Sequence, residues 1–399
     1  MSDAQRVRDW FESGLLLPPV ADTPSSVDLA RALAHLNEAP NVDVSPGGAR
    51  VEQAIGPARQ IVFVLIDGLG CNVLERLRPD AFLRRRLVME LRAVFPSTTA
   101  AALTSLATAA WPGIHAVPGW FTYLPERGLT ATILPFVERF SERPLAEFGV
   151  TSAEAFPYPS ALPSFGRAVR TYHPRAIAES EYTRYQRGSH PSDGYATPAD
   201  GAAILLERLR EARGPTYHYF YIPSVDATAH RHGGDAPQVL AALSEVDTAL
   251  ERLQAGAPAD VRFVISTDHG MLTVPDDAKH IIQRDDPLLD TLDVPPYGEP
   301  RVPMFRTRPG KGEEFASQFR ERFGERFALL SVEESEQLQL FGPEPIATKA
   351  RERIGGFIAV APGPDVLIYQ HDGPPAIAKL RGYHAGLTPA EMRIPLIVA

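Results

Sequence analysis

The sequence has 399 residues, of which 44% are hydrophobic and 22% charged, values that are ordinary for a folded protein and exclude wholesale disorder. No apolar run approaches the roughly 18 residues needed to span a bilayer. The single Cys71 excludes an intrachain disulfide framework and a cysteine-based zinc finger. The formal net charge of −9 argues against nucleic acid or a membrane as partner, because clustered Lys and Arg bind phosphate groups.

Residues 1–58 are predicted to form an N-terminal lead-in. It contains a helix over 27–36 and a loop over 39–56, which is rich in Pro and Gly. The start of the sequence lacks the basic region, apolar region and small-residue cleavage site of a secretory signal peptide. The expected location is therefore the cytoplasm.

The next segment alternates strand and helix patterns. Residues 61–66 are all apolar, which is typical of a strand buried on both faces, and Asp67 and Gly68 follow them. A helix is predicted over 71–77 and a strand over 91–95. A further helix is predicted over 99–110, where Ser and Thr residues supply good N-caps.

Two stretches interrupt this pattern and are interpreted as insertions, 120–195 and 273–379. The first has a weak helical pattern at 176–187, and the second has predicted strands over 301–306 and 357–361 and a helix over 312–323. The core pattern between and after them consists of helices over 199–213 and 238–253 and strands over 217–222, 261–266 and 392–398.

Strands alternating with helices predict an α/β fold with a central, largely parallel sheet flanked by helices. The core is expected to comprise residues 59–119, 196–272 and 380–399. The two insertions are expected to form a smaller cap region over the site. In such sheets ligands bind beyond the carboxyl ends of the strands, so the polar residues there are the candidates for function.

Carboxylates and imidazoles follow several of the predicted strands: Asp67, Asp226 with His230, and Asp268 with His269. Each one taken alone fits an ordinary turn, helix cap or packed side chain. Gathered at one sheet edge, the carboxylates would repel one another unless a cation offset their charge. Mixed Asp and His ligands suit zinc, or a similar divalent ion such as manganese.

A series of motifs occurs in an order that resembles a known family. The first are Val64-Leu-Ile-Asp67-Gly, Phe95-Pro-Ser-Thr-Thr99 and Trp111-Pro-Gly-Ile-His115. The later ones are Val225-Asp226-Ala-Thr-Ala-His230, Ser266-Thr-Asp268-His269-Gly270-Met271 and Gly382-Tyr-His384-Ala-Gly386. Together they resemble the alkaline phosphatase superfamily, and within it the type I phosphodiesterase/nucleotide pyrophosphatase branch. The resemblance covers about residues 60–272 and 380–399.

The resemblance implies an alkaline phosphatase-like fold and two divalent metal ions as cofactors, most often Zn²⁺, with Mn²⁺ as the alternative. One metal would be bound by Asp226, His230 and His384. The other would be bound by Asp67, Asp268, His269 and Thr99. The Asp-x-x-x-His spacing allows Asp226 and His230 to converge within one helical turn.

The same resemblance implies that a threonine is the catalytic nucleophile. Counted back from Pro112 and His115, the position falls on Thr99 rather than Thr98. A coordinated divalent cation lowers the pKa of such a hydroxyl, so that no histidine base is required. The hydroxyl would attack phosphorus and form a phosphothreonine intermediate, which water then cleaves.

Two positions depart from the family pattern. Ala100 stands where the nucleotide pyrophosphatases usually carry an aromatic residue that stacks on a nucleobase. Trp120 stands where they carry an asparagine that contacts the phosphate. We therefore expect turnover of small diesters without a strong preference for nucleotides. Aromatic residues of the first insertion, such as Tyr182 and Tyr185, could line a pocket or pack that insertion onto the core.

The expected function is that of a two-metal hydrolase of phosphoric esters, of the phosphodiesterase/pyrophosphatase type, acting on a small phosphorylated substrate. Phosphomonoester or phosphonate hydrolysis at the same site is the first alternative. A metal-binding scaffold without turnover is the second. A sulfatase is disfavoured because Cys71 lacks the C-x-P-x-R context needed for conversion to formylglycine.

Overall fold

The structure, a computed structural model, describes residues 1–373 and 375–399. Its α-helices are α1 (Asp3–Glu12), α2 (Ser26–Leu36), α3 (Pro46–Ile55), α4 (Cys71–Leu74), α5 (Phe82–Arg85), α6 (Thr99–Thr108), α7 (Pro112–His115), α8 (Ser152–Ala155), α9 (Glu181–Arg187), α10 (Pro198–Glu211), α11 (Ser224–His232), α12 (Pro237–Gly256), α13 (Gly312–Phe323), α14 (Val332–Gln337), α15 (Thr348–Ile354) and α16 (Pro389–Met392). Short 3₁₀ helices cover Leu145–Phe148, Leu162–Ser164, Asp276–Ala278, Pro287–Thr291 and Ala376–Lys379.

The β-strands are β1 (Gln60–Ile66), β2 (Leu87–Arg92), β3 (Phe121–Leu124), β4 (Leu129–Thr132), β5 (Val137–Glu138), β6 (Ala168–Pro174), β7 (Ser192–Tyr195), β8 (Thr216–Ile222), β9 (Val261–Ser266), β10 (Leu272–Thr273), β11 (Lys279–Ile282), β12 (Tyr297–Gly298), β13 (Pro303–Phe305), β14 (Ala328–Ser331), β15 (Phe357–Val360), β16 (Val366–Tyr369), β17 (Gly382–Tyr383) and β18 (Arg393–Val398).

The main sheet has the strand order β2-β18-β9-β1-β8-β6-β7. Strand β1 pairs in parallel with β8 and β9, and β6 pairs in parallel with β8 and β7. Strand β18 is antiparallel to both of its neighbours. The predicted α/β class with a central, largely parallel sheet flanked by helices is therefore confirmed.

Both faces of the main sheet are covered by helices, which explains the uninterrupted apolar run of β1. Successive side chains of a strand point to opposite faces. Ile61 and Phe63 accordingly lie in a core that includes residues of α2 and α6. Val62 and Val64 lie in the other core, with residues of α10 and α12.

A second sheet has the order β14-β15-β13-β12-β3-β4-β5, and every pairing in it is antiparallel. Strands β3 to β5 come from the predicted first insertion and β12 to β15 from the second. One face of this sheet contributes to an apolar core of its own, around Phe305, Phe315 and Phe319. The two insertions are thus joined in one sheet.

The prediction that residues 39–56 form a loop is wrong, because Pro46–Ile55 is helix α3. The Ser45 side chain caps the helix by accepting from the Gly48 N–H at 2.9 Å. Pro46 lies in the first turn, where its missing N–H costs nothing. Val51 and Ile55 are buried, and this tertiary contact outweighs the low helix propensity of the two glycines.

The predicted boundary of the first insertion is also corrected. Strands β6 and β7 lie within residues 120–195, yet they extend the main sheet beside β8. Their polar and aromatic composition hid the strand pattern. The helices predicted at 71–77 and 176–187 are shorter in the structure, and the strand predicted at 91–95 covers Leu87–Arg92. Within the described residues, no helix combines the length and apolar composition needed to cross a membrane.

Candidate active site

The candidate residues lie at one edge of the main sheet, where its parallel strands end. Asp67 follows β1, and Asp268 and His269 follow β9 by two and three residues. Helix α11, which follows β8, carries Asp226 and His230. The remaining candidates are His384, on the loop before α16, and Thr99, the first residue of α6.

One cluster, called the strand group here, consists of Asp67, Asp268 and His269. Its carboxylates follow the neighbouring strands β1 and β9. The His269 Nε2 atom lies 3.5 Å from Asp67 Oδ1 and 3.2 Å from Asp268 Oδ2. All three side chains are buried. Their ligand atoms lie within 4.8 Å of one another, as a single metal ion requires.

The second cluster, called the helix group, consists of Asp226, His230 and His384. The His230 Nε2 atom lies 3.4 Å from Asp226 Oδ1 and 3.3 Å from His384 Nε2. The side chains of Asp226 and His230 are 13% and 25% exposed, so this group is the more accessible one. It adjoins the strand group through the rings of His269 and His384, which stack with centroids 3.6 Å apart.

Each of the three imidazoles contacts a backbone carbonyl through Nδ1: His230 with Gly382, His269 with Gly270 and His384 with Ser97, at 2.8, 2.9 and 3.1 Å. A carbonyl oxygen only accepts, so Nδ1 carries the proton and Nε2 keeps a lone pair that can bind a metal or accept a hydrogen bond. This is the arrangement that orients histidine ligands on metals. Two such lone pairs, on His230 and His384, face each other at 3.3 Å, and a cation bound between them would remove their repulsion.

The carboxylates likewise present unused ligand atoms. Asp67 Oδ1, Asp226 Oδ1 and Asp268 Oδ2 are buried and have no hydrogen-bond partner within the described residues. Buried polar atoms are normally satisfied, and an unsatisfied one costs about 1–3 kcal/mol or more. The residues present therefore fit divalent cations, since bound cations would satisfy these oxygens and the facing imidazole nitrogens.

The electrostatics of the site agree with this reading. Burial raises the pKa of Asp226 to about 6 and the pKa of Asp268 above its usual value. Burial, and then the charges of Asp268 and Asp226, raise the pKa of Asp67 well above its usual value. Burial lowers the pKa of His269 to about 3, and it lowers the pKa of His384 as well. Neutral imidazoles and crowded carboxylates form a negative site that favours cations.

Two glycines allow the loops to approach this closely. Gly68 has φ +73°, and a Cβ atom there would lie 3.0 Å from the Cβ atom of Asp226. A Cβ atom at Gly270 would lie 1.9 Å from the backbone oxygen of Ala390. A larger residue at either position would push one ligand loop away from the next.

The three hydroxyl residues before and at the start of α6 have different partners. Thr99 Oγ1 lies 3.1 Å from His269 Nε2, so it adjoins the strand group. Thr98 donates its hydroxyl to Glu299 Oε1 at 2.6 Å, and Ser97 donates to the backbone oxygen of Gly386 at 2.7 Å. Of the three, Thr99 is the one whose hydroxyl faces the candidate ligands.

Two polar residues beside the site are not among the candidates predicted from the sequence. Tyr221 donates its hydroxyl to Asp67 Oδ2 at 2.5 Å. Glu299, in the turn between β12 and β13, accepts at its Oε1 atom from the Thr98 hydroxyl and the Trp120 N–H, both at 2.6 Å. Tyr221 is near the end of a predicted strand, a position where polar residues are candidates for function. The sequence around Glu299 carries no comparable signal.

A buried ion pair connects the second sheet to the ligand loops. Arg301 donates from Nε and Nη2 to the two carboxylate oxygens of Glu391, each at 2.9 Å, and both side chains are fully buried. Glu391 also accepts the Gly386 N–H through its side chain and the Gly270 N–H through its backbone oxygen, each at 2.8 Å. Glu391 thereby holds the loops that carry His269 and His384.

Among the described residues, His232 and Tyr182 belong to neither cluster. His232, at the end of α11, is exposed. Tyr182 is buried, and its ring packs against Phe156 and Tyr185 with centroids 5.3 and 5.8 Å away. These aromatics pack residues 156–185 onto the core, which is the second of the two roles expected for the aromatic residues of the first insertion.

Comparison with known proteins agrees with the motifs. A sequence model of the family described as type I phosphodiesterase / nucleotide pyrophosphatase matches residues 61–386. No protein with a curated description matches the sequence.

Several solved structures share the fold. Mouse ectonucleotide pyrophosphatase/phosphodiesterase 5 superposes with a TM-score of 0.64 at 16% identity, covering 84% of this chain and 87% of that one. An inactive threonine-to-alanine variant of that mouse protein, in complex with AMP, gives a TM-score of 0.62 at 17% identity, with coverages of 84% and 87%. Phosphonoacetate hydrolase from Sinorhizobium meliloti 1021, in complex with phosphonoformate, gives 0.60 at 18% identity, with coverages of 86% and 90%.

Proposed function

The chain belongs to the type I phosphodiesterase / nucleotide pyrophosphatase family of metal-dependent phosphoric ester hydrolases, and from this premise we propose that it hydrolyses phosphodiesters with Thr99 as nucleophile. The observation that carries the proposal is the convergence of three unpartnered carboxylate oxygens and three imidazole Nε2 atoms beside the Thr99 hydroxyl. A helix cap or a packed core does not require that set of atoms.

The strand group and Thr99 would hold one divalent cation, and the helix group would hold the second. Two geometric groupings support a pair of sites, Asp67 with Asp268 and His269, and Asp226 with His269 and His384. His230 adjoins the second grouping through its contacts with Asp226 and His384. Zn²⁺ is the proposed ion because it accepts mixed Asp and His ligands, and Mn²⁺ is the alternative.

When bound, such cations offset the charge of phosphoryl oxygens and lower the pKa of a coordinated hydroxyl. Thr99 contributes the attacking oxygen, which forms a bond to phosphorus while the bond to the ester oxygen breaks. Its position at the N-terminus of α6 places the oxygen where the helix dipole favours negative charge, by roughly 0.3–1 kcal/mol. Water then cleaves the phosphothreonine and restores the hydroxyl.

The residues around Thr99 support small substrates better than nucleotides. Ala100 is fully buried and offers no surface on which a base could stack. Trp120 uses its backbone N–H to bind Glu299. Loss of base stacking removes roughly 1–3 kcal/mol of binding, by analogy with single-stranded nucleic acids. We propose a small phosphorylated substrate, and a cytoplasmic location remains part of this proposal.

A metal count combined with an ester panel tests the function. Protein equilibrated with Zn²⁺ should retain two ions and hydrolyse bis-p-nitrophenyl phosphate faster than p-nitrophenyl phosphate or p-nitrophenyl phenylphosphonate. Acid quenching during turnover, followed by peptide mass spectrometry, should locate the phosphoryl group on Thr99. Faster turnover of the monoester or the phosphonate would favour those alternative activities on the same site.

Two results would overturn the proposal. The first is fewer than two bound ions with no turnover of any ester, which would favour a scaffold. The second is a labelled residue other than Thr99.

The preference for nucleotides is tested separately. The kcat/KM of a nucleotide ester such as thymidine 5′-(p-nitrophenyl phosphate) should exceed that of the plain diester by less than a hundredfold, equivalent to about 2.7 kcal/mol of transition-state binding.

A further inference from the structure

A cleft lies beside the site between the second sheet and residues of the second insertion. It is shallow and open at its mouth, with room inside for about one or two water molecules, and its walls include Phe121, Arg139, Glu299, Tyr369 and Ile377. It is too small to enclose a ligand, so it suits a terminal group that lies at its mouth. Its walls carry opposite charges, on Arg139 and Glu299.

Two walls of the cleft contact residues that neighbour the site along the chain. Glu299 accepts the hydroxyl of Thr98, the residue before the proposed nucleophile. Ile377 accepts through its backbone oxygen from the hydroxyl of Tyr383, the residue before His384. A substrate whose phosphorus lies at Thr99 could therefore place one ester substituent in the cleft.

Arg139 presents an unpaired positive charge to the cleft. Its guanidinium lies 4.1 Å from the ring centroid of Phe121 and 5.1 Å from that of Phe140, which fixes its orientation. It donates one hydrogen bond, to the backbone oxygen of Pro296 at 2.5 Å. Within residues 1–373 and 375–399 it forms no ion pair, and the acidic side chains whose charges act on it are Glu138 and Glu299. The carboxylate of the neighbouring Glu138 accepts a hydrogen bond from the Ser141 hydroxyl within the local turn.

A guanidinium that has free N–H groups and no carboxylate partner is suited to bind an anion. We propose that the cleft binds a negatively charged group on one ester substituent of the substrate, and that Arg139 recognises this group. The assignment rests on the proposed phosphodiesterase function. Glu299 is already bonded to Thr98 and Trp120, so the charged group lies at the Arg139 end of the cleft.

A series of matched esters tests the assignment. The probes are p-nitrophenyl butyl phosphate and its analogues that end in a carboxylate (3-carboxypropyl) or a phosphonate (3-phosphonopropyl). The wild-type enzyme should hydrolyse one or both charged esters with a kcat/KM at least tenfold above that of the butyl ester. The charged ester with the higher value identifies the type of anion.

The Arg139→Gln variant should lose this preference, with most of the change in KM, and retain the butyl ester rate within about threefold. Arg139→Lys keeps the charge and should restore part of the preference. Arg143→Gln is the matched control, because Arg143 is exposed and pairs with Glu147 instead of lining the cleft. Calorimetric titration of the Thr99→Ala variant with the preferred ester measures binding without turnover, and adding Arg139→Gln should weaken it tenfold.

The outcomes separate this assignment from the proposed function. Hydrolysis of the butyl ester without any preference for charged esters overturns the cleft assignment and leaves the function intact. Equal losses for charged and neutral esters in Arg139→Gln would show that Arg139 serves packing, which also overturns it. Absence of turnover for all three esters overturns the function, and the cleft assignment with it.

Discussion

Strands β1 and β9 of the main sheet lead directly into Asp67, Asp268 and His269, whereas the second sheet reaches the same site from the side through Glu299 and Arg301. The parallel strands end at one edge, so their carboxylates converge because of sheet geometry. The turn between the antiparallel strands β12 and β13 contributes Glu299 and Arg301, which contact residues beside the candidate ligands. Substitutions on the main-sheet side should thus affect the chemistry, and those on the second sheet should affect alignment, stability and selectivity.

The largest effect is expected at the start of α6. Thr99→Ala should lower kcat/KM on bis-p-nitrophenyl phosphate by about a thousandfold or more, because covalent catalysis is lost while the ligand residues remain. Thr98→Ala is the matched control, since that hydroxyl binds Glu299 instead. It should cost about tenfold or less. A larger loss for Thr98→Ala than for Thr99→Ala would mean that Thr98 is the nucleophile.

The next effect concerns metal binding by the helix group. His230→Ala should reduce the bound Zn²⁺ from two ions to one and lower kcat/KM by about a hundredfold. Elemental analysis of dialysed protein and ester kinetics measure both. His232→Ala is the matched control, because this exposed residue lies two positions further along α11. Loss of metal in the control, or two ions retained in His230→Ala, would contradict the assignment of His230.

The buried pair between the two regions should control stability. Arg301→Met leaves the Glu391 carboxylate buried without its partner, and should lower the free energy of unfolding by about 3–5 kcal/mol in denaturant titrations. Replacing both residues with Met should recover part of that loss. Arg320→Met is the control: its partner is Asp3, the arginine is 49% exposed, and we expect about 1 kcal/mol or less. Equal losses in Arg301→Met and Arg320→Met would mean that the buried pair does not hold the regions together.

The smallest effect is a pH dependence from Glu299. Burial raises the pKa of Glu299 to about 7, compared with 4.5 for an ordinary glutamate. The folded protein therefore binds this proton more tightly than the unfolded chain does. The contribution of the Glu299 proton to the free energy of unfolding is therefore fully present below pH 4.5, and it is lost as the pH rises through 7.

Glu299→Gln should therefore match the wild type in stability near pH 4 and exceed it above pH 7, by at most about 3 kcal/mol. Thermal unfolding of metal-free protein in chelator at several pH values measures the difference. A constant difference between wild type and variant across this range would show that Glu299 does not titrate there.

The secondary structure near the site follows from local sequence to a large extent. The apolar run of β1 predicts its burial on both faces, and the helix start at Thr99 agrees with the structure. Residues 120–195 carry a weaker signal, because β6 and β7 contain many polar residues and pair with strands that are distant in sequence. Local sequence does not predict helix α3, because the burial of Val51 and Ile55 that stabilises it depends on tertiary contacts.

The sequence by itself determined the fold class, the family motifs and the candidate ligands at the strand ends, because these depend on local patterns and on spacing along the chain. Their roles as ligands and nucleophile stay predictions. Only the tertiary structure decided which atoms face one another: the free Nε2 atoms, the unpartnered carboxylate oxygens, and the contact of Thr98 with Glu299. Glu299 and Arg301 lie about 200 residues from Thr98, and their contacts arise from packing between two sheets. No local propensity encodes contacts over such a distance.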